Sequence, residues 1–299
     1  MTAVPKRLLQ DQRLRNLVPA RSKAAFAENR VRLSRVARRS DLRNVYHCCV
    51  HKTGSQWIRK ALADPDVYRA TGLRTYAYQP RQSDALRNRR YPQVRFDRAF
   101  PAHRIVSPLY ITHEAFEAMP KPDPWRAFFV ARDPRDVVVS WYFSTIASHP
   151  TGNNPGMLRT RDHLLALDEE QGLVFSIGFL AEYGLFEALG SWAEVDDPRV
   201  LVLRYEDLIG GSAERWWGRL FDHCDVALHE ERRRTLLERY SFRSLSGRDP
   251  GNEDTGSKLR KGVAGDWRNH FTSEVRDAFD REASDVVDRL GYGERPASA

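Results

Sequence analysis

Residues 51–57 read His-Lys-Thr-Gly-Ser-Gln-Trp and follow the apolar segment 45–50, which is typical of a buried strand. After the glycine, the pattern favours the start of a helix. A helix N-terminus presents unpaired backbone N–H groups to an anion, a glycine lets the backbone come close, and a lysine adds a mobile charge. The segment predicts a phosphate-binding loop around Lys52, although the same residue types also occur in ordinary surface turns.

A second charged segment, residues 132–140, reads Arg-Asp-Pro-Arg-Asp-Val-Val-Val-Ser and follows the apolar run 127–131. Pro134 suits the first turn of a helix, where its missing N–H is not needed, and Asp133 suits the cap. Arg132 would then lie at the carboxyl end of a strand, beside the first loop, with Ser140 two helical turns further on. Alone, this pattern favours a capped helix with an exposed arginine.

A third segment, residues 260–267, reads Arg-Lys-Gly-Val-Ala-Gly-Asp-Trp. The adjacent cations Arg260 and Lys261, followed by Gly262, again combine charge and backbone freedom in a way that suits a phosphate. Three such segments predict a ligand that carries several anionic groups.

The elements that must position these segments alternate along the chain. Apolar runs predict strands at 45–50, 104–107, 127–131 and 200–203, and amphipathic segments predict helices at 56–63, 113–119, 136–148, 173–192, 213–223 and 273–290. This order predicts an α/β fold, with right-handed βαβ units, a mainly parallel central sheet and flanking helices. Ligands then bind beyond the carboxyl ends of the strands. The polar stretches 149–162 and 247–265 predict long loops, which are often functional.

The positive charge of the chain is concentrated at its start. Residues 1–43 contain 12 Lys and Arg against 3 Asp and Glu, whereas the whole chain of 299 residues has a net charge of +8. We therefore predict a basic N-terminal arm at 1–43, which is helical or partly disordered, and a single domain at 44–299. The arm could contact a membrane surface or an acidic patch of its own domain. A nucleic-acid partner is not expected.

Other features bear on location and metal binding. The sequence has no apolar run of about 18 residues and no apolar core of a signal peptide near its start, which predicts a cytoplasmic protein, with membrane contact at most peripheral. Cys48, Cys49 and Cys224 fit a reducing compartment. His47, Cys49 and His51 alternate along the first strand, but the outer two lie roughly 13 Å apart, too far for one ion. We expect no metal.

Taken together and in order, the segments resemble the sulfotransferases that use 3′-phosphoadenosine-5′-phosphosulfate (PAPS). Those enzymes carry Pro-Lys-Ser-Gly-Thr-Thr-Trp, Arg-(Asn/Asp)-Pro-(Lys/Arg)-Asp-Val-x-x-Ser, Tyr-Glu-Asp-Leu and Arg-Lys-Gly-x-x-Gly-Asp-Trp. The counterparts here are residues 51–57, 132–140, 205–208 and 260–267. The resemblance covers residues 44–290. It implies a fold like that of P-loop NTPases, and sulfuryl transfer from PAPS to an acceptor hydroxyl or amine, with release of adenosine 3′,5′-bisphosphate (PAP) and without a metal.

The resemblance also implies roles for single residues. Lys52 matches the lysine that binds the 5′-phosphate side of the donor and stabilises charge on the leaving oxygen. Arg132 and Ser140 match the pair that holds the 3′-phosphate, and Tyr205 matches a residue near the adenosine. The remaining donor-binding positions are those of the first loop and of the segment that closes over the 3′-phosphate: Thr53, Gly54, Ser55, Gln56, Trp57, Arg260, Lys261 and Gly262.

The chain departs from the family pattern in the first loop and in one strand. His51 stands where the cytosolic enzymes have proline, and Gln56 stands for threonine. The third strand of those enzymes carries a catalytic histidine in Lys-Thr-His, whereas residues 104–110 read Arg-Ile-Val-Ser-Pro-Leu-Tyr. His113 and His103 are the predicted catalytic substitutes, with His51 and the acidic residues of 149–170 as further candidates.

The acceptor and two other function classes remain open at this point. Tyr76, Tyr78, Tyr110 and the segment 149–172, with His149 and His163, are predicted to border the acceptor, which could be a carbohydrate, a lipid, a small hydroxyl compound or a protein tyrosine. A nucleotide-dependent phosphotransferase or kinase is the first alternative, but Gly-x-x-x-x-Gly-Lys-(Ser/Thr) is absent and the lysine here precedes the glycine. A non-catalytic module that binds an anionic ligand is the second.

Overall fold

A five-stranded parallel sheet forms the centre of the protein, which the computed structural model describes over residues 34–78, 90–149 and 154–293. The strands are β1 (Asn44–Cys49), β2 (Arg74–Tyr76), β3 (Arg104–Tyr110), β4 (Trp125–Ala131) and β5 (Val200–Arg204). Their order is β2-β3-β1-β4-β5, and every pairing is parallel, so all carboxyl ends lie at one edge. The predicted α/β fold with a mainly parallel sheet is confirmed.

Helices cover both faces of the sheet. They are α1 (Ser55–Leu62), α2 (Pro65–Thr71), α3 (His113–Ala118), α4 (Pro134–Phe143), α5 (Pro155–Leu165), α6 (Glu169–Glu182), α7 (Leu185–Gly190), α8 (Tyr205–Ile209), α9 (Ala213–His223), α10 (Glu230–Arg239), α11 (Phe242–Ser246) and α12 (Ser273–Arg289). One core includes α3, α4, α6, α7 and α12, and the other includes α1, α2, α9 and α10. Because both faces are covered, Val45 and Tyr46 are both fully buried although they point to opposite sides.

Two predicted boundaries in the middle of the chain are wrong. The predicted loop at 149–162 contains the start of α5, which begins at Pro155 with the Asn154 side chain as its cap. The predicted single helix at 173–192 is two helices, α6 and α7, separated by Gly184 in the left-handed region at φ 75°. A Cβ on Gly184 would lie 2.6 Å from the Pro92 ring, so this close approach also requires glycine.

Strand β3 is longer than predicted because it continues through Pro108 to Tyr110. The pairing with β1 shifts register between Tyr46 and Cys48, opposite Ser107 and Pro108. A proline lacks the N–H that a regular ladder needs, and an irregular register removes that need. The extension matters because it places Tyr110 at the carboxyl edge of the sheet.

Several short elements had no prediction, including β2, α2, α8, α10 and α11. Helix α2 nevertheless carries sequence signals at both ends. The Asp64 side chain accepts a hydrogen bond from the Asp66 N–H at 2.8 Å, Pro65 occupies the first turn, and Gly72 ends the helix at φ 71°. The predicted loop at 247–265 contains no helix or strand.

The last part of the predicted basic arm lies against the domain. The N–H groups of Ala37 and Ser40 donate to the carbonyls of Arg69 and Thr71, both at 2.8 Å. The Arg38 guanidinium pairs with Asp225 at 2.6 Å. Residues 1–33 lie outside the described residues, so the boundary of the arm and its contact with a membrane stay predictions.

His47 of β1 is fully buried between two strands. Its ring stacks on Phe128 at 4.6 Å, and Nδ1 lies 2.8 Å from the Ser107 hydroxyl. Its Nε2 has no hydrogen-bond partner among the described residues. Burial lowers the pKa of His47 to about 3, because a charged imidazole would lose its hydration in the core.

We expect this histidine to make folding stability depend on pH. The folded pKa lies below the unfolded value, so the unfolded chain binds more protons and stability falls as the pH drops from about 6.5 towards 3. Denaturant unfolding of wild type and His47→Gln at pH 5 and pH 7 measures the effect. The free energy of unfolding should change with pH less steeply in the variant than in wild type, by up to about 1.4 kcal/mol per pH unit. His229→Gln, an exposed site, is the control, and equal slopes for wild type and His47→Gln would contradict the assignment.

Candidate functional site

The loop after β1, residues 51–57, has the backbone of an anion-binding turn. Lys52 and Gly54 both take left-handed conformations, at φ 72° and 77°, immediately before α1 begins at Ser55. The Thr53 hydroxyl donates to the Val50 carbonyl at 2.9 Å and fixes the turn. A Cβ on Gly54 would lie 2.9 Å from the Tyr205 ring, so glycine is required where Tyr205 covers the loop. We call residues 51–57 the phosphate loop.

Arg132 supports this loop from the end of β4. Its side chain is buried, and Nη1 donates to the Lys52 carbonyl at 3.0 Å. The guanidinium lies 4.6 Å from the centre of the Tyr205 ring. Its Nε, in contrast, is buried without a hydrogen-bond partner among the described residues. Buried polar groups are rarely left unpaired, and an orphaned cationic N–H beside an anion-binding turn fits a phosphate group.

Helix α4 joins the phosphate loop to the third predicted segment. The helix starts next to Arg132, and the Asp133 side chain caps it by accepting from the Arg135 N–H at 3.0 Å, as predicted. Asp136, which is buried, accepts from the backbone N–H groups of Gly265 and Trp267 at 2.7 and 2.9 Å. The segment 260–267, called the closing segment here, is therefore anchored to the same helix as Arg132.

The two cations of the closing segment share one carboxylate. Arg260 Nη2 and Lys261 Nζ each lie 2.5 Å from Asp266, and Arg260 also pairs with Glu253 at 2.5 Å. Burial alone would raise the pKa of Asp266, but hydrogen bonds from His270, Lys261, Asn269 and Arg260 hold it well below its usual range. Gly262, at φ 70°, packs so closely on Phe242 that a Cβ would lie 2.3 Å from the ring. These contacts fix the backbone of the closing segment at Arg260 and Lys261.

Positive charge accumulates around Lys52. Its pKa is lowered to about 7 by burial and then by the charges of Arg132, Lys258 and Arg260. Lys258 had no sequence prediction, although its place two residues before Arg260 in a basic cluster was a signal. An excess of buried positive charge is relieved by an anion, so the residues present fit a ligand with phosphate groups, such as PAPS.

The other predicted donor-binding residues surround the same loop. Ser55 and Gln56 contact the Tyr110 hydroxyl at 2.9 and 3.3 Å. The Trp57 indole donates to the Tyr240 carbonyl at 2.7 Å and packs edge-on against Tyr205. Ser140 is half-buried on the second turn of α4. The structure thus gathers the phosphate loop, Arg132 and Tyr205 by direct contacts, and joins the closing segment to them through α4.

The two histidines predicted to be catalytic lie away from these contacts. His103 precedes β3 at the amino edge of the sheet, whereas the phosphate loop lies at the carboxyl edge, about 20 Å away along the strands. His113 packs against Trp192 at 5.0 Å and lies 3.7 Å from Glu117. Catalytic roles for both stay predictions, and neither position supports them.

His51 is the histidine that the structure places in the loop. Its Nδ1 lies 2.5 Å from the Tyr91 hydroxyl, and its ring stacks on Tyr110 with centroids 4.3 Å apart. Burial, together with the charges of Lys52 and His149, lowers its pKa to about 4. Sequence reasoning missed Tyr91, which is 40 residues away along the chain and follows no motif.

The residues predicted to border the acceptor lie at separate places in the structure. Tyr110 faces the phosphate loop, together with Tyr91 and Tyr183, which pack edge-on at 5.5 Å. Tyr76 and Tyr78 instead pack against Phe100 at 5.9 Å. His149 interacts electrostatically with Lys52, whereas His163 packs on Phe175. Tyr91, Tyr110 and Tyr183 therefore form an aromatic cluster around His51 of the phosphate loop.

No group of three or more His, Cys, Asp or Glu lies close enough to hold a metal ion within residues 34–78, 90–149 and 154–293. Over the same ranges, every helix is too short or too polar to cross a membrane. A surface cavity of about 1180 Å³ lies beside β5 and is lined by residues of α9 and α10, none of which belongs to the predicted donor site.

Comparisons with known proteins agree with the geometry. The profile of the sulfotransferase domain matches residues 45–291. Sulfotransferase 2B1 of Mus musculus is 28% identical over 213 residues, covering 64% of this chain and 57% of that relative. The 3-alpha-hydroxysteroid sulfotransferase of Cavia porcellus is 27% identical over 187 residues, covering 58% and 61%. The matches thus span little more than half of the length of these curated relatives.

Solved structures show the same fold. The mouse sulfotransferase SULT7A1 complexed with PAP aligns with a TM-score of 0.54 and 15% identity, covering 90% of this chain and 92% of that one. Retinol dehydratase, in complex with androsterone and the inactive cofactor PAP, aligns with a TM-score of 0.51 and 20% identity, covering 85% and 83%.

Anion binding should be coupled to protonation of Lys52. An anion beside the ammonium raises its pKa above the free value of about 7, so binding of PAP takes up protons and weakens as the pH rises above 7. Calorimetry in two buffers of different ionisation enthalpy counts these protons. Lys52→Arg keeps the positive charge but does not titrate in this pH range. On binding PAP, this variant should take up fewer protons than the wild type, by up to about one proton per site near pH 8. Equal uptake by both proteins would remove Lys52 from the linkage.

Asp136 should control both stability and ligand affinity. Asp136→Asn turns an NH₂ donor towards a backbone N–H, which leaves a buried donor unpaired and should lower the free energy of unfolding by about 2 kcal/mol. The closing segment loses its anchor, so affinity for PAP should fall as well. Urea unfolding and calorimetry measure the two effects, with the exposed Asp277→Asn as the matched control. Unchanged stability would show that the anchor is not needed.

Proposed function

Since the chain belongs to the sulfotransferase domain family, we propose that it transfers the sulfuryl group of PAPS to a hydroxyl group of a small acceptor and releases PAP. One observation carries this proposal. Buried Arg132 holds the phosphate loop through Nη1, and its Nε has no hydrogen-bond partner within the part of the chain that the structure describes. Burial and a cluster of cations that includes Arg132 lower the pKa of Lys52. That arrangement suits a ligand with two separate phosphate groups.

The proposed donor site uses the residues that the family resemblance indicates. Arg132 and Ser140 hold the 3′-phosphate, and Arg260, Lys261 and Gly262 close over it. Lys52 and the loop residues Thr53, Gly54, Ser55 and Gln56 hold the 5′-phosphate side. Tyr205 and Trp57 pack near the adenosine, since both rings lie against the phosphate loop.

In the proposed sulfuryl transfer, the protein forms no covalent bond to the substrate. PAPS supplies an activated sulfuryl group when it is bound. Lys52 stabilises the negative charge that grows on the leaving oxygen, and the fixed loop keeps that charge in line with the acceptor. A preorganised cation costs no reorganisation during the reaction, which is why the Arg132 support beneath Lys52 matters.

For the acceptor, we propose a small hydroxyl compound. One relative is named for a 3-alpha-hydroxysteroid, and retinol dehydratase was solved with androsterone. In this chain, the partly exposed rings of Tyr110 and Tyr183 lie next to His51 of the phosphate loop. Such rings pack well on an apolar body while a hydroxyl group points towards Lys52.

Nucleotide binding tests the proposed donor site. Calorimetric titration with PAP, adenosine 5′-monophosphate and magnesium ATP should show tight binding of PAP alone, because only PAP carries the 3′-phosphate. Arg132→Ala should weaken PAP binding by about 10²-fold, since it removes a charged donor from a buried phosphate site. Arg126→Ala, at the other end of β4, should bind PAP like the wild type.

Each contrary outcome points elsewhere. Preference for magnesium ATP would indicate phosphoryl transfer. Binding of PAP that survives Arg132→Ala and falls steeply with salt would indicate a non-specific anion-binding module.

Lys52→Ala tests the transfer step. The rate of PAP release from PAPS should fall by about 10²-fold or more, with a smaller loss of PAP affinity, because the lysine acts mainly on charge that develops during the reaction. Rates and affinities are measured on the same preparations. An unchanged rate would exclude Lys52 from the mechanism.

A further inference from the structure

The phosphate loop contains a histidine that is held like a catalytic base. The Tyr91 hydroxyl oxygen accepts the backbone N–H of His51 at 2.8 Å and lies 2.5 Å from Nδ1 of the same residue. Tyr91 is itself fully enclosed, with 2% of its surface exposed. The His51 ring is then fixed from below by the parallel ring of Tyr110, at 4.3 Å and 5°. Few positions are left for this imidazole to adopt.

The contact between the Tyr91 hydroxyl and Nδ1 allows either tautomer of His51, and a general base at Nε2 uses the one that is protonated at Nδ1. In that tautomer the two lone pairs of the phenol oxygen accept the backbone N–H and the Nδ1–H, and the lone pair of the imidazole lies on Nε2. Burial raises the pKa of Tyr91 well above its usual value, so it stays a neutral phenol. A base whose second nitrogen is oriented by a fixed partner is the arrangement that proton abstraction requires.

The charges around His51 keep the ring neutral. The groups that face it are Lys52 beside it in the loop, His149 at the end of the turn after α4, and the three phenols Tyr91, Tyr110 and Tyr183. Two of these carry or can carry positive charge, and the pKa of Tyr110 and that of Tyr183 are raised by burial. The imidazole is therefore unprotonated at neutral pH, which is the state from which a general base acts.

We propose that His51 is the general base of the transfer reaction and that Tyr91 is its positioning residue. This inference rests on the proposed function. Nε2 of His51 takes the proton of the acceptor hydroxyl while the oxygen forms its bond to sulfur. The electron pair of the broken S–O bond leaves with the phosphate oxygen of PAP, where Lys52 stabilises it, and the proton passes from His51 to solvent after release. His51 thereby supplies the function for which β3 offers no histidine in the family register.

Acceptors of different acidity provide the test. 4-Methylphenol keeps its proton at a pH where 4-nitrophenol is already ionised, so only the first needs a base. His51→Gln should lower kcat/KM for 4-methylphenol by about 10²-fold or more and leave that for 4-nitrophenol within about threefold. Tyr91→Phe, which keeps the ring and loses the hydroxyl, should show the same selectivity with a smaller loss. PAP release without a phenol, where water is the acceptor, should fall in both variants.

The controls separate this inference from the proposed function. PAP affinity, measured by calorimetry, should be unchanged in His51→Gln, and His229→Gln should behave like the wild type in every assay. Equal losses with both phenols would show a structural role and overturn the inference. A selective loss in His149→Gln, with none in His51→Gln, would assign the base to His149 instead. A wild-type protein that binds PAP but never releases it from PAPS would overturn the proposed function itself.

Discussion

The site depends on one buried cation. Arg132 lies beneath the phosphate loop, donates to the Lys52 carbonyl and stacks on Tyr205. Burying a guanidinium is costly unless its N–H groups are paired, and its nearest carboxylate, Asp136, lies 3.9 Å away while serving two backbone N–H groups. Among the described residues, Nε of Arg132 has no hydrogen-bond partner. The fold holds this charge in place in advance, which is a property that favours the binding of an anion with several charges.

The sheet makes this possible because its strands are parallel. Each parallel strand delivers its next residues to the same edge, so β1 ends in the phosphate loop, β4 ends at Arg132 and β5 ends at Tyr205. Helix α4 also positions the closing segment, since its Asp136 accepts a hydrogen bond from Gly265, 129 residues further along the chain. Strand β3 continues through Pro108 to Tyr110 and brings the Tyr110 ring into a stack with His51.

Sequence reasoning predicted the features that depend on residues close together in the chain. Strand β1, the Pro134 start and Asp133 cap of α4, and the basic pair at 260 and 261 could be read locally. The predictions of one helix at 173–192 and of a loop at 149–162 were wrong. The break at Gly184 and the start at Pro155 are decided by a backbone turn and a helix cap, not by apolar periodicity. The family resemblance was confirmed by the sulfotransferase domain profile over residues 45–291. His103 and His113 were candidates for the histidine that β3 lacks. The structure places His103 at the amino end of β3 and His113 at the start of α3, packed on Trp192. Tyr91 could not have been found, since only tertiary packing brings it to His51.

A crystal structure of the protein with PAP bound tests the central claim most directly. The account predicts the 3′-phosphate within hydrogen-bond distance of Arg132 Nε and Ser140 Oγ, with Lys52 Nζ at the 5′-phosphate. A nucleotide seated in the cavity beside β5, or one that leaves Arg132 Nε without a partner, would contradict it.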